Sequence, residues 1–239
     1  MNVRFKKSAH AVLANGNRLV QEVKYLSYDE SPSTAQFILL LAQEELAKAF
    51  LLVLVYRGVI PWGRHLHRAT HDHRCKQLLF LVMDHLNPEF EEYSRRRTEW
   101  MVHKKRFEDV FKVPTKIRDA ISILRHEKIG RWESNKWFWA DEPKWDPEVL
   151  AISDGTLDQA KQDLVYLRLG RDGSIVLVPG KRTRFNLDSE RDRAERMSEL
   201  VESMIKNKKR SPLEWRNVEP VFRLLFTEPK AAPATGGDW

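Results

Sequence analysis

The sequence predicts an all-α protein, an antiparallel helical bundle carrying one small β-hairpin near residues 163–178. Three observations carry this expectation. Two long apolar segments, 5–28 and 33–58, are separated only by residues 29–32, a link short enough to fold the second helix back along the first. Most other segments repeat their apolar residues with a helical period. The clearest strand signal is LVYLRLGRDGSIVLVPG, which alternates apolar residues around the turn pair Asp172-Gly173.

Taken in order, the first helix spans Phe5 to Tyr28, where Ala9, Val12, Leu13, Leu19, Val20, Val23 and Leu26 keep the helical period. Asn15-Gly16-Asn17 in its middle is the point at which one unbroken helix is least expected. The second helix opens on Ser31 as N-cap with Pro32 at the first helical position, Ser33 and Gln36 offering a capping box, and Gly58 with Pro61 closes it. Phe37, Leu40, Leu41, Leu52 and Val55 fall on more than one face, so this helix is expected to be buried nearly all round. It carries Glu44, Glu45 and Lys48 near its centre, a cost that argues against a membrane span and for a core helix.

Leu78 to Leu86 forms an apolar helix that Asn87-Pro88 ends. A charged helix with the run Arg95-Arg96-Arg97 covers 89–111, and another covers 114–128. Residues 129–156 lose any period. They hold four of the eight tryptophans (Trp132, Trp137, Trp139, Trp145) and read as an ordered, aromatic-stapled loop or insertion. A short helix at 157–163, the hairpin, a charged helix at 187–208 and a last short helix at 213–226 complete the same domain. Residues 1–128 therefore form the bundle core, 129–156 the insertion, 157–228 the remainder of the domain, and 229–239 a tail of disordered composition.

Composition narrows the function. With 42% hydrophobic and 31% charged residues the 239-residue chain is an ordinary globular protein. Its single cysteine, Cys75, excludes an internal disulfide framework and fits a reducing cytoplasm. Arg4, Lys6 and Lys7 are followed by no apolar run, so no secretory leader is expected. The net charge of +7 favours an anionic partner, nucleic acid above all. There is no repeat, no sustained heptad and no glycine-rich phosphate loop.

Two clusters carry chemistry. The first is Glu44-Glu45-x-x-Lys48, because unpaired buried charge is expensive. One reading is an i,i+4 pair of Glu44 with Lys48 at the bundle edge, with Glu45 facing water. The other has a glutamate meeting basic groups of another helix in a polar cleft. The second cluster runs from Arg64 to Lys76 and contains His65, His67, Arg68, His71, His73 and Cys75. It reads as a metal site, as a solvated basic helix start, or as a phosphate-binding or RNA-cleaving site. The spacings match no familiar zinc site, and the interspersed Arg and Lys disfavour a cation. In the RNA reading Arg68 and Lys76 neutralise a phosphodiester while His73 moves a proton near neutral pH.

ANGNRLVQEV, then STAQFILLLAQEELAKAFLL, then His73-Arg74-Cys75-Lys76 resemble the AbiV family of bacterial abortive-infection proteins. That family carries an Asn-containing first helix, a helix of the form A-x-E-E-x-x-K, and a following H-x-x-K. KQDLVYLRLGRDGSIVLVP resembles its pattern of a Lys, an aromatic-rich strand, a Gly turn and a Pro. The likeness covers residues 8–80 and 157–185. It implies a HEPN-like helical bundle, from a superfamily with many metal-independent ribonucleases whose signature is Arg, four to six residues, then His. Five such pairs occur here: Arg4–His10, Arg64–His71, Arg68–His73, Arg96–His103 and Arg97–His103. With 23 arginines and 8 histidines in the chain, roughly two arise by chance, so position has to choose among them.

Arg68–His73 shares its histidine with the H-x-x-K and is preferred, with Arg97–His103 in reserve. The expected catalytic set is Glu45, Lys48, Arg68, His73 and Lys76, supported by Glu44 and His71, with Arg64, Arg97 and His103 contacting RNA. No metal and no cofactor are expected. The resemblance implies an anti-phage protein that arrests growth of the infected cell by cleaving RNA or blocking translation, triggered by a phage protein and acting as a homodimer. Two other readings stand beside it: a non-catalytic module that binds RNA, a ribosomal component or a phage protein through the same surface, and a purely structural cluster around the glutamate pair.

Overall fold

Helix α2 (Pro32–Arg57) runs through the middle of the molecule, and the other long helices pack around it. The computed structural model describes residues 2–26, 32–102, 113–124, 144–179, 186–206, 219 and 222. Helix α1 (Asn2–Leu26) lies antiparallel to α2, so that Phe5 near its start meets Trp62, just beyond the end of α2, at 5.2 Å between ring centroids. After α3 (Arg64–Ala69), α4 (His73–Leu86) returns along another face of α2. Then follow α5 (Phe90–Val102), α6 (Thr115–Ile123), α7 (Pro147–Ser153), α8 (Thr156–Gln162), strands β1 (Arg168–Leu169) and β2 (Ile175–Leu177), and α9 (Leu187–Lys206), which packs against α1, α2 and α4. The fold is all-α with one two-stranded antiparallel sheet.

The core follows from the all-round apolar pattern of α2. Leu39, Leu46, Phe50, Leu51 and Leu54 are fully buried, against Leu78, Leu79 and Met83 of α4 and Met197, Val201 and Met204 of α9. Each large side chain of this kind contributes about 1.5–3 kcal/mol. Phe222 closes one side, edge-to-face on Phe50 at 5.7 Å. No helix of the described residues is long and apolar enough to cross a membrane.

Helix α1 passes through Asn15-Gly16-Asn17 without a break. Gly16 lies close against α2: a Cβ there would lie 3.0 Å from Leu46 Cδ2. Glycine in this helix serves packing rather than termination, which local propensity does not reveal. A second difference lies within 129–156, read as a loop. Residues Pro147–Ser153 are helical, capped by Asp146, whose side chain accepts from the Glu148 and Val149 amides at 3.0 and 3.4 Å. Val149 and Ile152 are buried; seven residues are too few to display a period. Ser31, His103, the end of the 89–111 helix, Trp132, Trp137, Trp139, most of 213–226 and the 229–239 tail fall outside the described residues.

The hairpin forms around Asp172-Gly173 as expected. Gly173 takes φ +80°, Gly170 donates to the Ser174 carbonyl at 2.8 Å, and Arg168 pairs with Leu177, with a register irregularity before Leu169.

Candidate functional site

Glu44 and Glu45 are successive residues of a helix, about 100° apart around its axis. On a helix buried nearly all round, that angle sends them to different neighbours. Glu45 turns to α1, where Asn15 donates to its Oε2 at 3.1 Å, and Lys48 pairs with its Oε1. Arg18 in turn donates to Asn15 Oδ1 at 2.9 Å. The edge pair of Glu44 with Lys48 does not form: Lys48 belongs to Glu45, and Glu45 does not face water alone.

Glu44 turns inward and is 3% exposed. Its carboxylate takes four donors. His73 Nδ1 lies 2.6 Å from Oε2 and Lys76 Nζ 3.2 Å from the same oxygen. Lys161 Nζ donates to Oε1 at 2.7 Å and Gln77 Nε2 at 3.1 Å. Lys161, 4% exposed, also pairs with Asp158 at 2.9 Å. Glu44 and Asp158 thus balance Lys76 and Lys161 around His73.

Local sequence explains the placement. Asp72 caps α4, accepting from the Cys75 amide at 2.8 Å, so the helix begins at His73. His73, Lys76 and Gln77 then stand at i, i+3 and i+4, on one face. Helix α8 is brought to this face by Arg74, which donates to the Ser153 carbonyl at 3.0 Å. Gly155 opens α8 with φ +92°, a backbone conformation that favours glycine, and a Cβ there would lie 2.5 Å from the Arg74 guanidinium and displace it. Asp154 accepts from the Thr156 amide at 2.8 Å, the main cause of its lowered pKa.

The electrostatics follow from these contacts. Burial by itself pushes the Glu44 carboxyl up, but the Lys161 hydrogen bond, the Lys76 and Lys161 charges and the His73 bond hold it below its ordinary 4.5. Burial likewise pulls Lys161 down, and its bonds to Glu44 and Asp158 raise it above 10.5. Asp158 is pushed up by burial and drawn below 3.8 by Lys161. Since Glu44 is ionised, His73 Nδ1 must carry the proton of their 2.6 Å bond. The 3.3 Å approach of Lys161 Nζ to His73 Nδ1 is then a contact between two donors and not a hydrogen bond. That leaves Nε2 as the outer ring nitrogen, on a side chain 50% exposed.

Glu44, His73 and Asp158 offer ligand atoms all within 4.8 Å of one another, a spacing that suits a metal ion. Lys161 Nζ already stands among them, at 2.7, 3.3 and 2.9 Å. A divalent ion would have to displace a buried ammonium that Glu44 and Asp158 hold charged.

Of the residues singled out from sequence, the structure brings together Glu44, His73 and Lys76. Glu45 and Lys48 form the separate group with Asn15. His71 stays with α3, its Nδ1 2.8 Å from the His67 carbonyl and its ring 4.6 Å from that of His67. Arg64 and Arg68 are exposed on α3, and Arg97 is exposed on α5. His103 lies outside the described residues. Sequence reasoning missed Lys161, Asp158 and Gln77. Lys161 does open the segment KQDLVYL, and the i,i+3 spacing of Asp158 and Lys161 was legible, but their distance from Glu44 along the chain gave no reason to join them.

A family model described as AbiV, of HEPN type, matches residues 4–199. Comparison with curated proteins and with solved structures returned no match.

Proposed function

The chain belongs to the AbiV family of HEPN-type proteins, and from that premise we propose that it arrests growth of the phage-infected cell by metal-independent cleavage of RNA at His73. The observation that carries the proposal is the buried, ionised Glu44 bound to His73 Nδ1 at 2.6 Å, beneath a half-exposed ring. A carboxylate on Nδ1 fixes the tautomer and the orientation of the ring, the arrangement by which a histidine becomes an oriented base. Nε2 takes the proton of a ribose 2′-hydroxyl, the 2′-oxygen attacks the adjacent phosphorus, and the P–O5′ bond breaks. The imidazolium returns its proton to the leaving 5′-oxygen, giving a 2′,3′-cyclic phosphate and a 5′-hydroxyl. Arg64 and Arg68, exposed on the helix just before His73, hold the phosphodiester. Two chains paired across a twofold axis, and release by a phage protein, belong to the same proposal.

One observation favours a second reading. Lys76 and Lys161 are buried and engaged by carboxylates, so the cluster also serves as a staple between α2, α4 and α8. In that case the chain acts by binding RNA or the translation apparatus through its basic face. Inducing His73→Ala in cells separates the two: growth arrest and RNA fragmentation should both disappear while the melting temperature stays near wild type. Persistent RNA cleavage by a folded His73→Ala protein rejects the catalytic role. Light scattering that returns a monomer at micromolar concentration rejects the pairing.

A further inference from the structure

At the other end of α4, about 18 Å from His73 at 1.5 Å per residue, lies a second polar site. A cavity of about 300 Å³ opens there, walled by residues of α4, α5, α6 and α9. Four cationic side chains line it, Arg96, Lys116, Arg193 and Arg196, together with His85. His85 is 6% exposed, and its buried Nε2 has no hydrogen-bond partner among the described residues. The Nε atoms of Arg193 and Arg196 are buried too and make no aligned hydrogen bond; Arg193 Nε meets Asp84 Oδ2 at 3.0 Å as an ion pair only. His85 Nε2 and Arg196 Nε, buried and without a hydrogen-bond partner among the described residues, therefore belong to the lining of one cavity.

Asp84, Glu89 and Glu92 line the cavity as well, and their carboxylates are already shared out. Asp84 serves both Arg193 and Arg196, at 3.0 and 3.2 Å. Glu92 serves Arg95 and Arg96 at 2.8 and 2.7 Å, and the exposed Glu89 reaches Arg196 at 3.4 Å. Lys116 pairs with Glu148. Arg193 also donates to Glu190 at 3.4 Å, and the five N–H donors of each guanidinium still outnumber these carboxylate contacts. Burial, and then Arg96, hold His85 down to about 4, so its ring is neutral at pH 7 and is able to present Nε2–H as a donor.

A free cation is disfavoured by the arginines, and an apolar ligand would leave His85 Nε2 and Arg196 Nε unpaired. A tetrahedral oxyanion suits them: it offers several acceptor oxygens to two guanidinium groups and an imidazole at once. We propose that this cavity is a phosphate-binding site in which His85, Arg193 and Arg196 hold a terminal phosphate. The volume exceeds that of a bare phosphate and reaches the range of small-ligand pockets. The phosphate is therefore a monoester, either of a mononucleotide or of an RNA 5′ end. The site is independent of any chemistry at His73.

The test uses the full chain at constant ionic strength set with chloride. It is titrated with inorganic phosphate, with adenosine 5′-monophosphate, and with a short RNA bearing or lacking a 5′-phosphate, following melting temperature and heat of binding. Phosphate and the monophosphate should raise the melting temperature above the chloride control. If the RNA binds more tightly with its 5′-phosphate than without, an RNA end is the source; if the 5′-phosphate adds nothing while the mononucleotide binds, the source is a free nucleotide. Phosphate acting no better than chloride overturns the proposal. His85→Phe and Arg196→Gln should each weaken phosphate binding about tenfold or more, and undiminished binding in both folded variants also overturns it. Should either variant fail to fold, the His85 ring nitrogens are followed by NMR in the wild type. They should shift with phosphate and not with chloride, and stationary resonances sink the idea.

Discussion

At the scale of the residue, Glu44 decides whether the centre of the molecule is stable. Its carboxylate compensates Lys76 and Lys161, both nearly fully buried. Glu44→Gln keeps the shape and removes the charge, taking the carboxylate from Lys76 and leaving Lys161 to Asp158 alone, and should cost about 3–5 kcal/mol in denaturant unfolding. Stability against pH gives a second measurement with a definite sign. Glu44 is depressed in the fold, so its contribution is complete above the unfolded 4.5 and is lost as pH falls through the lower folded value. Lys161 is raised, so its contribution is complete below 10.5 and is lost as pH rises through the higher folded value. Wild type should hold its urea midpoint steady with respect to this pair between those limits, and Glu44→Gln should shed part of the acid-side slope. An unchanged acid slope in the variant would mean that other carboxylates govern acid unfolding.

At the scale of the element, the short helix α8 matters because it delivers Lys161, and Gly155 sets its direction. Gly155→Ala meets a positive φ of 92° and the Arg74 guanidinium at 2.5 Å. Such a change should cost about 1–3 kcal/mol. Its signature is local: amide hydrogen exchange should accelerate through α7 and α8 while the amides of α1 stay protected. Exchange that rises equally in α1 would show that α8 is not a separate unit of stability. Sequence already marked a helix at 157–163, and the hairpin after it, because periodicity and turn chemistry are local. It did not mark α7, whose capping depends on Asp146, itself tied through its amide to Asp119 Oδ2 of α6 at 2.9 Å.

At the scale of the whole molecule, the net charge of +7 makes any binding of RNA salt-dependent. Plotting log affinity against log salt should give a straight fall. In the double variant Arg64→Ala, Arg68→Ala the slope should flatten by about 1.4, two phosphate contacts at about 0.7 each for a single strand. Arg97→Ala, on a helix whose Arg95 and Arg96 are held by glutamates, should leave growth arrest largely intact. A loss of toxicity in Arg97→Ala with the α3 double variant unaffected would move the RNA contact to α5.

The bundle, the antiparallel first pair, the hairpin turn and the demand that a charged centre in an apolar helix find basic partners were all legible in the order of residues. Those are consequences of period, link length and the cost of buried charge, all readable along the chain. Which glutamate faces the site was settled by packing in three dimensions. Glu44 and Glu45 are chemically equivalent in sequence, and the rotation of α2 against α4 and α8 alone separates a carboxylate with four donors from one held by Asn15 and Lys48. The same packing recruited Lys161, 117 residues away from Glu44. A charge can find its partner at any sequence distance, because the interaction depends on separation in space and on burial, and neither is written in the order of residues.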